Sequence, residues 1–188
     1  MKQTSSFCYV LRLAVTLLLI TGVVAAALAG INSLTAPKIY KNQQLKSWEA
    51  IQKVLPEGVI ISEETVFTDD SGIVKTLYIS TGGYAVEVAP TGFGGNINML
   101  VGVSLEGEIL GIAVVSQAET AGLGAIVAAE NQAGQSFRDQ FVGLSGQLAV
   151  KKDGGEIDSI TGATITSRAV TEGVNAALAC VADLKSLG

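Results

Sequence analysis

Hydrophobic positions follow three different patterns along this chain. From Leu13 to Ile31, LAVTLLLITGVVAAALAGI, nineteen successive residues are apolar or small with no polar face. At about 1.5 Å per helical residue such a run can cross a hydrocarbon core of about 30 Å, which predicts a transmembrane helix. Residues 38–55, KIYKNQQLKSWEAIQKVL, place Ile39, Leu45, Trp48, Ile51 and Leu55 near one stripe and predict an amphipathic helix ended by Pro56-Glu57-Gly58. Beyond it, apolar runs shorten and turn signals separate them. IVKTLYI follows Asp69-Asp70-Ser71-Gly72, YAVEVA follows Thr81-Gly82-Gly83, and INMLVGVSL leads through Glu106-Gly107 into ILGIAVV. Ile97, Met99, Val101, Val103 and Leu105 alternate onto one face, the pattern of a half-buried antiparallel strand. Val170, Val174, Ala177, Leu178, Val181 and Leu184 recur at helical spacing and predict a C-terminal helix covering one face of the sheet.

This pattern gives an α+β fold class: an N-terminal transmembrane helix followed by an antiparallel sheet packed with helices. The expected division is a membrane anchor over 1–35, an amphipathic stalk over 36–57 and a globular domain over 58–188. A cleavable signal peptide is the rival reading of the first segment, since Lys2 and Arg12 precede the apolar run and Ala27-Leu28-Ala29 has the A-x-A form. The run exceeds the usual h-region of about 7 to 15 residues, which favours an uncleaved anchor. Lys38, Lys41, Lys46 and Lys53 outnumber the basic residues before the span, but long downstream domains translocate regardless of such charges. Only Arg12, at its edge, is ionisable in the span, so the chain by itself is not an ion channel.

Composition narrows the chemistry. The 188 residues carry a formal net charge of -5 and no histidine. That removes the commonest general base and every imidazole metal site. Cys8 and Cys180 form neither a CxxC pair nor a disulfide framework and read as two buried or idle thiols. With no basic patch, nucleic acid is not an expected partner.

Three glycine-rich stretches remain: TGFGGNI at 91–97, ETAGLGAIV at 119–127 and DSITGATITS at 158–167. Neither of the first two completes G-x-G-x-x-G, because Val127 stands where a third glycine is needed. Singly, each reads as a turn, with Thr161 or Ser159 an ordinary N-cap and Glu119 a solvated charge at a strand end. Together they suggest more. Gly162 and Ala163 keep the surface small beside Thr164, and the opening turn of the last helix offers free N–H groups and a partial positive charge. A phosphate fits there without a lysine.

Asp158-Ser159-Ile160-Thr161-Gly162-Ala163-Thr164 resembles the D-x-x-[ST]-G-A-T flavinylation motif of FMN-binding domains. The GFGG stretch, the E-T-x-G-L-G stretch, the N-terminal anchor and the C-terminal helix follow in the family's order. The resemblance is closest to the G subunit of Rnf electron-transport complexes and extends to the C subunit of the sodium-pumping NADH:quinone oxidoreductase. It departs at Gln117 and Ala121, where the family often has histidine and proline.

The resemblance implies covalent FMN, carried by Thr164 through a phosphoester and attached by a separate flavin transferase using FAD. Asp158, Thr161, Gly162 and Ala163 would then be recognition and fitting residues. Phe93, Gly94, Gly95, Glu119 and Thr120 would line the isoalloxazine, with Gly122, Leu123, Gly124 and Thr166 among the cofactor-binding residues. With no metal-cluster motif and no redox dithiol in the sequence, the flavin would be the whole redox apparatus, and a nearby Glu119 charge would disfavour its anionic reduced form. The implied function is an electron-carrier subunit of an ion-translocating ferredoxin:NAD+ oxidoreductase. It would be a single-pass protein of the cytoplasmic membrane, its FMN domain on the extracytoplasmic side, with other membrane subunits, the transferase and membrane lipid as partners. The alternatives are a stand-alone extracytoplasmic flavin module serving another reductase or a sensor, and a pilin-like structural protein, which lacks here the usual early glutamate.

Overall fold

The computed structural model describes residues 3–56, 58, 60–66 and 72–187. Lys2, Glu57 and the expected turn residues Asp69, Asp70 and Ser71 lie outside them, as does the side chain of Cys8. The first helix, α1, spans Gln3–Val54. The chain divides into two units, Met1–Gln44 and Leu45–Gly188.

The first unit is helical and, by length and composition, apolar enough to cross a membrane, with a mean hydropathy of 2.4 in its most apolar window. Four of its hydroxyls bond back to the helix itself: Thr16 Oγ1 donates to the Arg12 carbonyl at 2.8 Å, Thr21 to Leu17 at 2.9 Å, Ser33 to Gly30 at 2.9 Å and Thr35 to Ile31 at 2.8 Å. A polar group satisfied within its own helix needs no water, which is what a hydrocarbon environment requires.

The second unit is built on a five-stranded antiparallel meander in sequential order: β1 (Ile61–Val66), β2 (Val74–Ser80), β3 (Gly83–Val88), β4 (Asn98–Val103) and β5 (Ile109–Ser116). A short helix α2 (Gln132–Asp139) and the long α3 (Thr164–Leu187) follow, with 3-10 turns at Gly124–Ala128 and Lys151–Asp153. The C-terminal stripe packs as its spacing predicts: Val170, Val174, Ala177 and Val181 are buried, and Leu178 and Leu184 lie partly buried against the same core.

β4 departs from the half-buried expectation. Every residue from Met99 to Val103 is buried, while Leu105 lies beyond the strand and is exposed. The cause is a second apolar layer. Met99, Val101 and Val103 join the α3 core, whereas Leu100 packs with Tyr78, Ala85 and Ala113 against Ala50, Ile51, Val54 and Leu55. The predicted stripe on residues 38–55 is corrected by the same contacts. Ile51 and Leu55 are buried, but Leu45 and Trp48 are exposed, and Ala50 and Val54 take their places.

Two elements escaped the sequence pattern. β1, ISEETV, carries two adjacent glutamates, a composition suited to the sheet edge it occupies. α2 spans only 8 residues and buries only Gly134 and Phe137.

Gly102 and Gly111 face each other across β4 and β5, beneath the end of α1. A Cβ at Gly102 would run into the Val54 carbonyl, so a bare backbone here lets the helix lie against the sheet. Gly102→Val should destabilise the protein by about 1–3 kcal/mol, the usual cost of overpacking, and by more if the helix end detaches. Urea unfolding of the detergent-solubilised chain measures it; an unchanged midpoint would show that the close approach does not matter.

Candidate functional site

Three loops converge at the N-terminus of α3. The first is the hairpin tip TGFGGN. Thr91 pairs with Asn96, the Gly92 amide donates to the Gly95 carbonyl at 2.8 Å, and Phe93 projects from the tip, 69% exposed. The second is the turn after β5, in which the amides of Leu123 and Ala125 both donate to the Thr120 carbonyl at 3.1 Å. The third is the DSITGAT segment itself.

Glu119 joins them. It is not the solvated charge expected of a strand end: it is buried, and both carboxylate oxygens are engaged. Oε1 accepts from the Gly94 amide at 2.8 Å and Oε2 from the Thr166 hydroxyl at 2.5 Å. Its own amide donates to the side-chain oxygen of Gln117, the residue that departs from the family's histidine. The surrounding glycines follow from this arrangement. A Cβ at Gly92 or Gly124 would collide with the Glu119 carboxylate, and one at Gly94 with the Ala118 carbonyl.

The α3 start is organised from within. Ser167 Oγ accepts from the Ile160 amide at 3.0 Å and donates to the Ala163 carbonyl at 3.0 Å. Ser159, a predicted cap, has its hydroxyl oxygen buried with no hydrogen-bond partner among the described residues. Gly162 turns the chain in the left-handed region, φ 77°, with Ala163 buried behind it. The first intrahelical bond into the segment is made by the Ser167 amide to Ala163, so the amides of Thr164, Ile165 and Thr166 precede it. This is the electropositive end that suits an anion.

A cation is present as well, although the helix end alone suits a phosphate without one. Lys152 Nζ donates to Thr164 Oγ1 at 2.8 Å. Its neighbours in the 151–153 turn are tied to the same region: Lys151 to Asp158 at 2.7 Å, and Asp153 to Arg168 through two bonds of 2.6 and 2.7 Å. Arg168, first by its hydrogen bonds and then by its charge, holds the Asp153 carboxyl below the usual range, with Lys152 adding to the effect. The pair is therefore intact above the ordinary carboxylate range and is released only as pH falls through the lowered value. Exposed pairs of this kind add little to stability, so their effect here is positional. Nothing in the sequence pattern singles out Lys152, which stands in the polar run KKDGG. A parallel bridge between Val150 and Ile157 folds that turn back onto the motif.

Around Thr164 lies a cleft of about 380 Å³, within the range of small-molecule sites. Of the predicted residues, Phe93, Glu119, Thr120, Leu123, Gly124, Gly162, Ala163, Thr164 and Thr166 line it, joined by Lys152 and Ile165. Gly94 and Gly95 shape the hairpin behind Phe93, and Gly122 turns the chain before Leu123. Asp158 and Thr161 are not in this cleft; with Ser159 and Ile160 they border a separate open groove against α2. Phe93, Leu123 and Ile165 are large, apolar and exposed beside Lys152 and the helix end. A ligand with a flat apolar ring and a phosphate fits both halves.

Glu119→Ala would leave the Gly94 amide and the buried Thr166 hydroxyl without their acceptors, at about 1–3 kcal/mol for each group left unsatisfied. Glu119→Gln should cost less, because the Thr166 hydroxyl can reverse and accept. Urea unfolding of both variants measures the difference, and equal stability of Glu119→Ala and the parent chain would remove Glu119 as the tie.

The sequence model of the FMN-binding domain matches residues 92–179, from the glycine hairpin into α3. The chain is 37% identical to the G subunit of the Na+-translocating ferredoxin:NAD+ oxidoreductase complex of Acetobacterium woodii, over 88% of each chain. It is 32% identical to the G subunit of the ion-translocating oxidoreductase complex of Shewanella baltica, over 88% of this chain and 84% of the relative. With its counterpart in Methanosarcina acetivorans it shares 33% identity over 89% and 92%. A shared FMN-binding domain and similarity along nearly the whole length lead to one conclusion: this chain belongs to the G-subunit family of ion-translocating oxidoreductase complexes.

Proposed function

We propose that the chain is the electron-carrying subunit of a membrane-bound, ion-translocating oxidoreductase complex of the Rnf type, with FMN joined to Thr164 by a phosphoester. The observation that carries this reading is the Thr164 hydroxyl, set at the opening of α3, contacted by Lys152 and facing a cleft rimmed by exposed apolar side chains. Extensive coverage of the G-subunit relatives supports membership of a complex over a stand-alone flavin module.

Bound FMN would supply one- and two-electron redox chemistry. The chain's contribution is placement. The α3 amides and Lys152 would hold the phosphate, and Phe93, Leu123 and Ile165 would cover the faces or edge of the ring. Glu119 would keep the two glycine loops at a fixed distance from the helix. Attachment would be a transfer from FAD on a separate flavin transferase: the Thr164 oxygen would bond to the flavin-side phosphorus, the bond from that phosphorus to the bridging oxygen would break, and AMP would leave with the electron pair as the hydroxyl proton passed to a base of the transferase.

On this reading α1 anchors the chain in the cytoplasmic membrane among the other subunits and lipid, and the FMN domain lies on the extracytoplasmic side.

Co-expressed with a flavin transferase, the chain should gain the mass of one FMN and fluoresce in a denaturing gel. Thr164→Val should abolish both and Thr164→Ser should keep them; a fluorescent Thr164→Val band would sink the assignment. For sidedness, alkaline phosphatase fused after residue 188 should be active in intact cells, and an inactive but stable fusion would reverse the orientation.

A further inference from the structure

The 151–153 turn is held by more bonds than a solvated loop needs. Asn175, on α3, grips the preceding segment by donating to the Leu148 carbonyl at 2.8 Å and accepting from its amide at 2.9 Å. The Lys151 amide donates to the Ile157 carbonyl at 2.8 Å, which closes the turn from the other side. Arg168, one helical turn beyond Thr164, fixes Asp153 through two parallel bonds, a geometry that restricts orientation as well as distance. Between these fixed points stands Lys152. Its ammonium has one assigned partner, the Thr164 hydroxyl, and both side chains line the same cleft.

An ammonium touching a hydroxyl that is to become a phosphoester has a specific consequence. As the oxygen bonds to phosphorus and loses its proton, negative charge gathers on the phosphoryl oxygens beside it, and a fixed cation stabilises that charge without reorganisation. The helix-end amides act in the same direction but carry only partial charge. Among the described residues, Lys152 is the one full positive charge lining this cleft.

We infer that Lys152 is a catalytic residue contributed by the acceptor chain itself: it touches the reacting oxygen of Thr164 and stabilises the phosphoryl group during its transfer from FAD. Lys151 and Asp153, by pairing with Asp158 and Arg168, are positioning residues for it. This inference rests on the reading of Thr164 as the attachment point. It assigns Asp158 of the motif a second role, since its carboxylate anchors the turn that carries the lysine.

The test uses the purified full-length chain in detergent with a flavin transferase, FAD and magnesium, and follows the rate of FMN incorporation by intact mass as the acceptor concentration is varied. Lys152→Met should lower the rate at saturating acceptor about ten-fold or more, with KM for the acceptor unchanged. Lys152→Arg should restore most of that rate. Thermal unfolding of the apo chains should coincide, since Lys152 is exposed. A Lys152→Met chain modified at the parent rate overturns the inference. So does one that differs only in KM, which would make Lys152 a docking residue for the transferase. A parent chain that takes up no FMN, by contrast, overturns the reading of Thr164 itself.

Discussion

A buried carboxylate with two neutral donors organises the end of the globular unit that carries the Thr164 cleft. Glu119 leaves β5 and accepts from the Gly94 amide with one oxygen and from the Thr166 hydroxyl with the other. A carboxylate removed from water in this way needs its hydrogen bonds. The need is met by drawing a hairpin tip and a helix N-terminus together around it. The glycines at 92, 94 and 124 are the steric counterpart of that requirement, since side chains there would occupy the carboxylate's own space or its neighbour's.

The cleft follows from this tie. Phe93 is carried outward by the hairpin, Leu123 by the turn beyond Glu119, and Ile165 by the first turn of α3. Three exposed apolar side chains are individually ordinary on a protein surface, but here they gather around a helix N-terminus, giving the cleft an apolar rim and an electropositive end. The DSITGAT motif serves both sides of this arrangement. Thr164 and its small neighbours face the cleft, while Asp158 and Thr161 face the groove against α2.

The sheet is a rigid base for these loops because it is covered twice. α3 packs on one face and residues 50–55 on the other. Burial of β4 on both faces ties it to two covers at once, Met99, Val101 and Val103 to the α3 core and Leu100 to residues 50–55. The glycine pair at 102 and 111 lets the second cover come close, and α3 both closes the core and presents Thr164, so core packing and site geometry share one element.

The local sequence determined what depends on near neighbours: the membrane-length apolar helix, the short apolar runs and intervening turns of β2 to β5, the buried stripe of α3 and the DSITGAT motif at its start. Each is written in spacing or in a contiguous string, so it is legible without knowing what packs against it. The tertiary structure alone decided which charges meet. Glu119 looked like a surface residue because its partners, Gly94 and Thr166, lie 25 and 47 positions away, and Lys152 looked idle because the fold that brings it 2.8 Å from Thr164 runs through a bridge between Val150 and Ile157. The second cover on β4 was hidden for the same reason: alternation within a strand records that a face is apolar but not whether another element will bury the opposite one.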